Sequence, residues 1–382
     1  MKVLFVQKIA GISGSEKYIL EIMPALKKRG IDCEFLGISD KKSDSKNDKI
    51  LQILKENNIP FHYLLFENNF SFSLLSQIND IIKTNRYDIV QSNLIHADFW
   101  LAQVKLLFKT KFKLVSGKHG YDEPYNAKYG FTSRKIPWNP YYFLARYAEL
   151  FTDRSFTIGR QLKGFYCGIK ICNPLKTDVI HYGYDFPEVS VSSEELSTYN
   201  FSPNQLVIVG RLTAFKGHRF AFEALQTVVK KIPDVKLVIV GSGALDAELK
   251  QLAKDLQIEN QVVFVGHSTV AVKYMASSDV VLVPSVSEGF GIINLEAFSV
   301  KKPVIAFDVP TCNEIIESGK TGMLVPFCDI KKLSDAIIQL LEDKKRATQL
   351  GFNAYEKLKL YFTMDRMVDE TIQFYNRVLS NK

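Results

Sequence analysis

The sequence predicts an α/β fold: two doubly wound, Rossmann-like domains, each with a parallel sheet between helices. Three observations carry that reading. Short β-branched and aromatic runs recur along all 382 residues, separated by longer amphipathic stretches. The runs are apolar nearly throughout rather than alternating, as expected of strands covered on both faces. Several end in Gly or Pro, where a strand turns toward a helix. Such alternation over both halves of the chain means two sheet-and-helix domains.

The first-half strands are expected at VLFV (3–6), CEFLG (33–37), FHYLL (61–65), DIVQS (88–92), FKLVS (112–116), SFTI (155–158) and DVIH (178–181). Those of the second half are LVIVG (206–210), KLVIVG (236–241), VVFVG (262–266), VVLVP (280–284), PVIAF (303–307) and MLVP (323–326). A polar, Ser-rich stretch with two prolines, FPEVSVSSEELSTYNFSPN (186–204), divides the halves. The expected domains are therefore 1–185 and 186–363. The tail, 364–382, is expected as a helix packing back on the first domain, with Met364, Met367, Val368, Ile372 and Tyr375 at helical spacing.

Composition bounds the function. Hydrophobic residues make up 46% and charged residues 24%, which excludes a mostly disordered chain or a collagen-like fibre. The net charge of +8 sits wholly in residues 1–190, with 27 basic and 19 acidic side chains, against 22 of each in the remainder. The first half is thus expected to face something anionic. No recognition motif for nucleic acid accompanies the surplus. The five cysteines match no metal knuckle and are expected as reduced thiols. The apolar run at the N-terminus stops at Gln7, too short for a signal-peptide core, and no stretch approaches the roughly 18 apolar residues of a membrane span. A cytoplasmic location is expected.

Chemistry concentrates in three segments. VIVGRLTAFKG (207–217) closes a strand and leads into a helical pattern, so Arg211 and Lys216 flank a helix start. Two cations there suit a diphosphate, Arg as a fork and Lys as a point charge; the plainer alternative is a turn with two solvated cations. SEGFGIINLEAFS (287–299) places Glu288 and Glu296 eight residues apart. If helical throughout, that span rises about 12 Å and returns near one face, fit to grip two hydroxyl-bearing ends of a ligand. AGISGSEKYI (10–19) follows the first strand, with Gly11 and Gly14 before an amphipathic helix. Neither a G-x-G-x-x-G fingerprint nor a P-loop is present.

Taken together, Gly-Arg-Leu-x-x-x-Lys-Gly, Gly-Ser-Gly (241–243), Val-x-Phe-x-Gly (262–266) and Glu-Gly-Phe-Gly-x-x-x-x-Glu resemble the family 4 retaining glycosyltransferases with the GT-B fold. Pro303–Ala306, Gly322–Val325 and Glu314 fit as well. The resemblance spans nearly the whole chain and is strongest over 205–330. It implies two domains facing a cleft and transfer of a hexose-type sugar from a nucleoside diphosphate to a glycan hydroxyl. The acceptor would be a surface polysaccharide or lipopolysaccharide, lipid-linked in some cases. Attack would be front-face, assisted by the departing phosphate.

Residue by residue, the resemblance gives Arg211 and Lys216 the diphosphate, Glu288 the sugar hydroxyls and Glu296 the ribose. Gly289, Phe290, Gly291 and Ile292 would lie along the sugar and phosphates. Gly241, Phe264 and Gly266 would border the donor, the last two near the base. Gly14 would sit under the β-phosphate, and His119 near the transferred sugar. His119, Glu288, Arg211 and Lys216 would be catalytic. Where relatives carry Gly-Gly and His-x-His, this chain has Ser13–Gly14 and Gln91–Ser92–Asn93. His96 is read as a helix-start residue.

No Asp-x-Asp occurs, so no metal and no cofactor is expected beyond the donor itself. Competing readings are a nucleotide-sugar epimerase or hydrolase on the same fold, and a non-catalytic nucleotide-sugar-binding partner. Finally, residues 101–147 interleave nine basic residues with aromatics, Trp100 at the edge, and are expected to rest weakly on anionic lipid.

Overall fold

The computed structural model describes the chain except residues 10, 13, 42–46, 68–70, 122–135, 137, 186–192, 287, 310 and 381–382. Every strand expected from an apolar run is present. β1 (Lys2–Lys8), β2 (Asp32–Asp40), β3 (Phe61–Phe66), β4 (Ile89–Asn93), β5 (Lys113–Lys118), β6 (Arg154–Thr157) and β7 (Thr177–Val179) form one sheet in the order β3-β2-β1-β4-β5-β6-β7. All its pairings are parallel. The helices are α1 (Gly14–Lys28), α2 (Asp48–Glu56), α3 (Phe72–Asn85), α4 (Ile95–Phe108), α5 (Pro140–Glu149) and α6 (Arg160–Gly168).

The second sheet runs β10-β9-β8-β11-β12-β13, again parallel. Its strands are β8 (Gln205–Val209), β9 (Lys236–Val240), β10 (Val262–Gly266), β11 (Val280–Val283), β12 (Val304–Phe307) and β13 (Met323–Val325). Its helices are α7 (Ser193–Ser197), α8 (His218–Lys231), α9 (Asp246–Asp255), α10 (Ala271–Ser277), α11 (Ile292–Ser299), α12 (Cys312–Ile315), α13 (Ile330–Glu342) and α14 (Lys344–Tyr361). The last helix, α15 (Met364–Ser380), belongs with the first sheet. The chain divides into a first unit of 1–125, 132–184 and 364–382, and a second containing 185–363.

Burial explains why the runs are so apolar. Leu4, Val6, Leu36, Ile38, Val90 and Leu114, from four neighbouring strands, are sealed under Ile78 of α3 and Trp100 and Val104 of α4. Such side chains contribute about 1.5–3 kcal/mol each on burial. α15 packs on α1. Its stripe of Met367, Thr371, Phe374 and Tyr375 faces inward, with Phe374 5.6 Å from the Phe156 ring and the Tyr375 hydroxyl donating to Gln91 Oε1 at 2.6 Å.

What positions chemistry is the place where strand order reverses. In an open α/β sheet, ligands bind beyond the carboxyl ends of the strands at that switch point. In the first sheet it lies between β1 and β4, in the second between β8 and β11.

Candidate active site

In the second unit, β8 leads into the loop 210–217 and β11 into the loop 284–291, so the two loops meet at the switch point. Gly217 holds them together. Its φ of 71° is left-handed, and a Cβ there would lie 1.8 Å from the Pro284 carbonyl oxygen. The Val286 amide also donates to the Phe215 carbonyl at 2.8 Å. Lys216 Nζ is thereby brought to 2.6 Å from Glu288 Oε1. The Ser285 hydroxyl donates to the same oxygen at 2.6 Å, and the Thr311 hydroxyl to the Glu288 carbonyl at 3.0 Å.

Glu288 is only 8% exposed. A carboxylate so buried is tolerable only when paired and hydrogen-bonded, and Lys216 and Ser285 meet that need. The Arg211 guanidinium lies 5.6 Å from the centre of the Phe215 ring, and Lys216 Nζ 5.9 Å from the same ring. Two cations thus share one aromatic neighbour at a switch point. Lys216 keeps its pairing with Glu288 in that arrangement.

Glycines let β9 approach these loops. A Cβ on Gly241 would lie 1.8 Å from the Gly210 carbonyl oxygen, and one on Gly243 2.5 Å from that of Leu212. The Gly241 amide donates to Gly266 at 2.8 Å. Phe264 and Gly266 lie on the edge strand β10, with the Phe264 ring 6.2 Å from Phe222 and 5.4 Å from Lys250 Nζ.

One expectation needs correcting here. Glu288 and Glu296 are not joined by continuous helix. Gly291 has φ 81° and caps α11, which begins at Ile292, so Glu288 and Gly289 lie in the loop and only Glu296 is helical. The left-handed turn at Gly291 breaks the helical register that the eight-residue spacing assumed. Phe290 buries its ring against Phe362 at 6.0 Å, leaving its backbone as the part able to face a ligand. Sequence reasoning also passed over His218, the first residue of α8. Both its ring nitrogens are buried without a hydrogen-bond partner among the described residues, and burial beside Lys216 lowers its pKa to about 4. Its only signal was its position directly after Lys216–Gly217.

In the first unit, Gly14 opens α1 just beyond β1, and a Cβ there would meet nothing within 4 Å. Ser13 lies outside the described residues. His119 follows β5 directly. Its Nε2 is 2.9 Å from Asn93 Oδ1, at the carboxyl end of neighbouring β4. The ring lies 4.5 Å from that of Tyr18, tilted by 52°, and edge-on to Phe156. Burial lowers its pKa to about 4, with Asp98 opposing, so the imidazole is neutral at neutral pH and Nε2 donates to Asn93. Gln91, Ser92 and Asn93, which replace the His-x-His of relatives, are all buried and hydrogen-bonded, to Tyr375, Asp98 and His119 respectively. His96 takes the second position of α4.

Among the described residues of the basic, aromatic stretch, some side chains are buried and paired and others exposed. Lys118 is buried and paired with Asp98 at 2.9 Å and Glu149 at 3.3 Å. Lys105 pairs with Asp153, also at 2.9 Å. Trp100, Tyr121 and Tyr142 are buried, whereas Trp138 is 77% exposed. Helices and strands turn part of their side chains inward, which a linear count of charges and rings ignores. Asp122, Glu123, Tyr125, Lys128, Tyr129, Phe131, Arg134 and Lys135 lie outside the described residues. Among the described residues no helix is long and apolar enough to cross a membrane, and no cluster of three or more His, Cys, Asp or Glu is arranged to hold a metal.

The chain is similar in sequence and fold to known proteins. Residues 12–186 match the model of Glycosyltransferase Family 4, and residues 197–357 that of Glycosyl transferases group 1. An uncharacterized glycosyltransferase of Haemophilus influenzae is 25% identical over 370 residues, spanning 91% of this chain and 92% of that protein. The N-acetyl-alpha-D-glucosaminyl L-malate synthase of Bacillus anthracis is 30% identical over 183 residues, 47% of this chain and 48% of that enzyme. The crystal structure of Anabaena HepE in complex with UDP and glucose superposes with a TM-score of 0.82 at 20% identity, covering 99% of this chain and all of that one. With two parallel switch-point sheets and both family models matched in sequence along them, the chain belongs to the family 4 glycosyltransferases of GT-B fold.

Proposed function

We propose that the protein transfers a hexose-type sugar, with retention of anomeric configuration, from a nucleoside diphosphate sugar to a hydroxyl of a surface glycan. The observation that carries this is the Lys216–Glu288 contact of 2.6 Å, with Arg211 sharing the Phe215 ring. In this reading Arg211 and Lys216 take the diphosphate and stabilise it as it leaves, the largest protein contribution to such a reaction. Glu288 binds sugar hydroxyls, Glu296 the ribose. The 289–292 backbone lies along the sugar and phosphates, Phe264 and Gly266 lie beside the base, and Gly241 lets β9 approach. In the first unit Gly14 offers an open helix start to phosphate oxygens, and His119 a neutral imidazole to a sugar hydroxyl. Retention is assigned to front-face attack assisted by the leaving phosphate, the route that the family resemblance implies.

Because the HepE structure, of similar fold, is a complex with UDP and glucose, UDP-sugars head the test. Calorimetry with UDP-, GDP- and ADP-sugars, followed by slow hydrolysis of each, should single out one base. Failure of all of them to bind would overturn the reading. Analysis of the product's anomeric proton then decides retention. Two fixed cations are assigned to the leaving group, so EDTA is expected to leave turnover within about two-fold; a strict Mg²⁺ or Mn²⁺ requirement would refute that assignment.

A further inference from the structure

The first unit carries a concavity at the amino-terminal ends of its inner strands, away from His119. It forms where α3 and α4 end and the chain enters β4 and β5. Those strands are five and six residues long, so at roughly 3.3 Å per residue these ends lie some 17–20 Å from the carboxyl ends that carry Asn93 and His119. Lys83, Arg86, Tyr87, Phe108, Lys109 and Lys111 line a cavity of about 540 Å³ there. No carboxylate is among its lining residues.

The charges are the telling feature. Other cations of the unit are neutralised: Lys105 by Asp153 and Lys118 by Asp98. The side chains of Lys83, Arg86, Lys109 and Lys111 are exposed and have no ion-pair or hydrogen-bond partner among the described residues. Helix dipoles explain part of this, since the negative ends of α3 and α4 point here. They do not explain all of it. Arg86 and Lys109 sit at left-handed cap positions, φ 51° and 50°, which glycine fills with less strain. Lys111 lies beyond the helix altogether. Four like charges around one hollow repel each other unless an anion enters it.

We propose that this hollow binds a negatively charged saccharide segment, bearing phosphate, sulfate or carboxylate, separate from the donor nucleotide. Its volume falls within the roughly 300–1,000 Å³ of small-ligand sites. Tyr87 and Phe108 supply apolar walls for a sugar face, and Phe72, 64% exposed, extends them through its ring contact with Phe108 at 5.5 Å. A hollow of this kind receives a discrete group, whereas a bilayer is met by a protruding surface. That the ligand is a saccharide rests on the glycosyltransferase reading, and the test separates the two.

The whole chain is titrated calorimetrically with a sulfated tetrasaccharide and with uncharged maltotetraose, both with UDP at saturation to fill the donor site. The sulfated probe should bind and the neutral one should not. Lys109→Gln with Lys111→Gln should weaken binding at least about ten-fold while UDP affinity is unchanged. Lys28→Gln with Lys55→Gln, an equal loss of charge elsewhere in the unit, should stay within about two-fold. Thermal unfolding confirms that each variant is folded, and the single substitutions stand in if the double does not fold. Equal weakening in both double variants, or no binding by the wild type, overturns the proposal. So does unchanged tetrasaccharide affinity in the Lys109/Lys111 variant with lost binding to phosphatidylglycerol vesicles, which assigns the cations to lipid. Failure of UDP to bind the wild type would instead count against the donor site, and the tetrasaccharide titration is then read without it.

Discussion

The Lys216 ammonium and the Glu288 carboxylate hold one another at 2.6 Å, and a diphosphate arriving at Lys216 competes for the same proton donors. Lys216→Ala therefore has two expected effects. Turnover should fall roughly 100–1,000-fold through loss of a donor to the leaving group. Stability should also fall, by about 3–5 kcal/mol at most, because Glu288 stays buried with its cation gone. Arg211→Ala should show the first effect without the second, since its side chain is exposed. Kinetics and chemical denaturation of the two variants check both statements, and wild-type turnover in both would remove the clamp from the mechanism. The glutamates separate similarly. Glu296→Ala should chiefly weaken nucleotide binding, a contact equal in ground and transition states, and Glu288→Ala should chiefly depress turnover. The reverse pattern in calorimetry and kinetics would mean the donor lies the other way round.

At the level of elements, strands were the most legible feature. Runs such as VLFV and LVI (206–208) are buried throughout, so every residue had to be apolar. Helix geometry was less so: the Glu288–Glu296 spacing looked helical, and one left-handed glycine at 291 undid it. Pairings between distant residues left no local trace. Nothing near Lys118 in sequence announces Asp98, twenty residues earlier, as its partner, so it was counted as a surface cation. The tail was readable by periodicity, although Ile372 is only half-buried and Phe374 belongs to the inward stripe instead. This docking yields a prediction. The Tyr375 hydroxyl donates to buried Gln91, so Tyr375→Phe leaves a buried acceptor without its donor, at a cost of about 1–3 kcal/mol. Deleting 364–382 uncovers the part of α1 that α15 covers and should abolish cooperative unfolding of the first unit, measured by urea titration. A truncated chain that unfolds like the full one would show that the tail contributes little.

For the whole molecule, composition disclosed one property that no single residue shows, the basic surplus confined to the first half, and the structure collects part of it around one cavity. Titration is a second such property. His96 and His119 in the first unit and His218 in the second each have a pKa lowered from 6.5 to about 4, chiefly by burial. The sign follows from proton counting. Between pH 6.5 and 4 the unfolded chain binds protons on these imidazoles and the folded chain does not, so stability rises with pH across that window and is lost as pH falls through it. Above about pH 7 both states are neutral at these sites and the contribution is complete. Each imidazole supplies up to about 3 kcal/mol of this dependence, because a tenfold change in proton affinity is worth about 1.4 kcal/mol. Denaturant unfolding at pH 7.5, 6, 5 and 4 should therefore show progressive loss in both units, and His218→Leu should flatten the loss in the second unit alone. The neutral His119 also means that turnover should show no step from this imidazole between pH 6 and 8. A stability profile flat from pH 7.5 to 4, or a rate step near 6.5 that His119→Asn removes, would mean that these histidines charge freely in the folded protein.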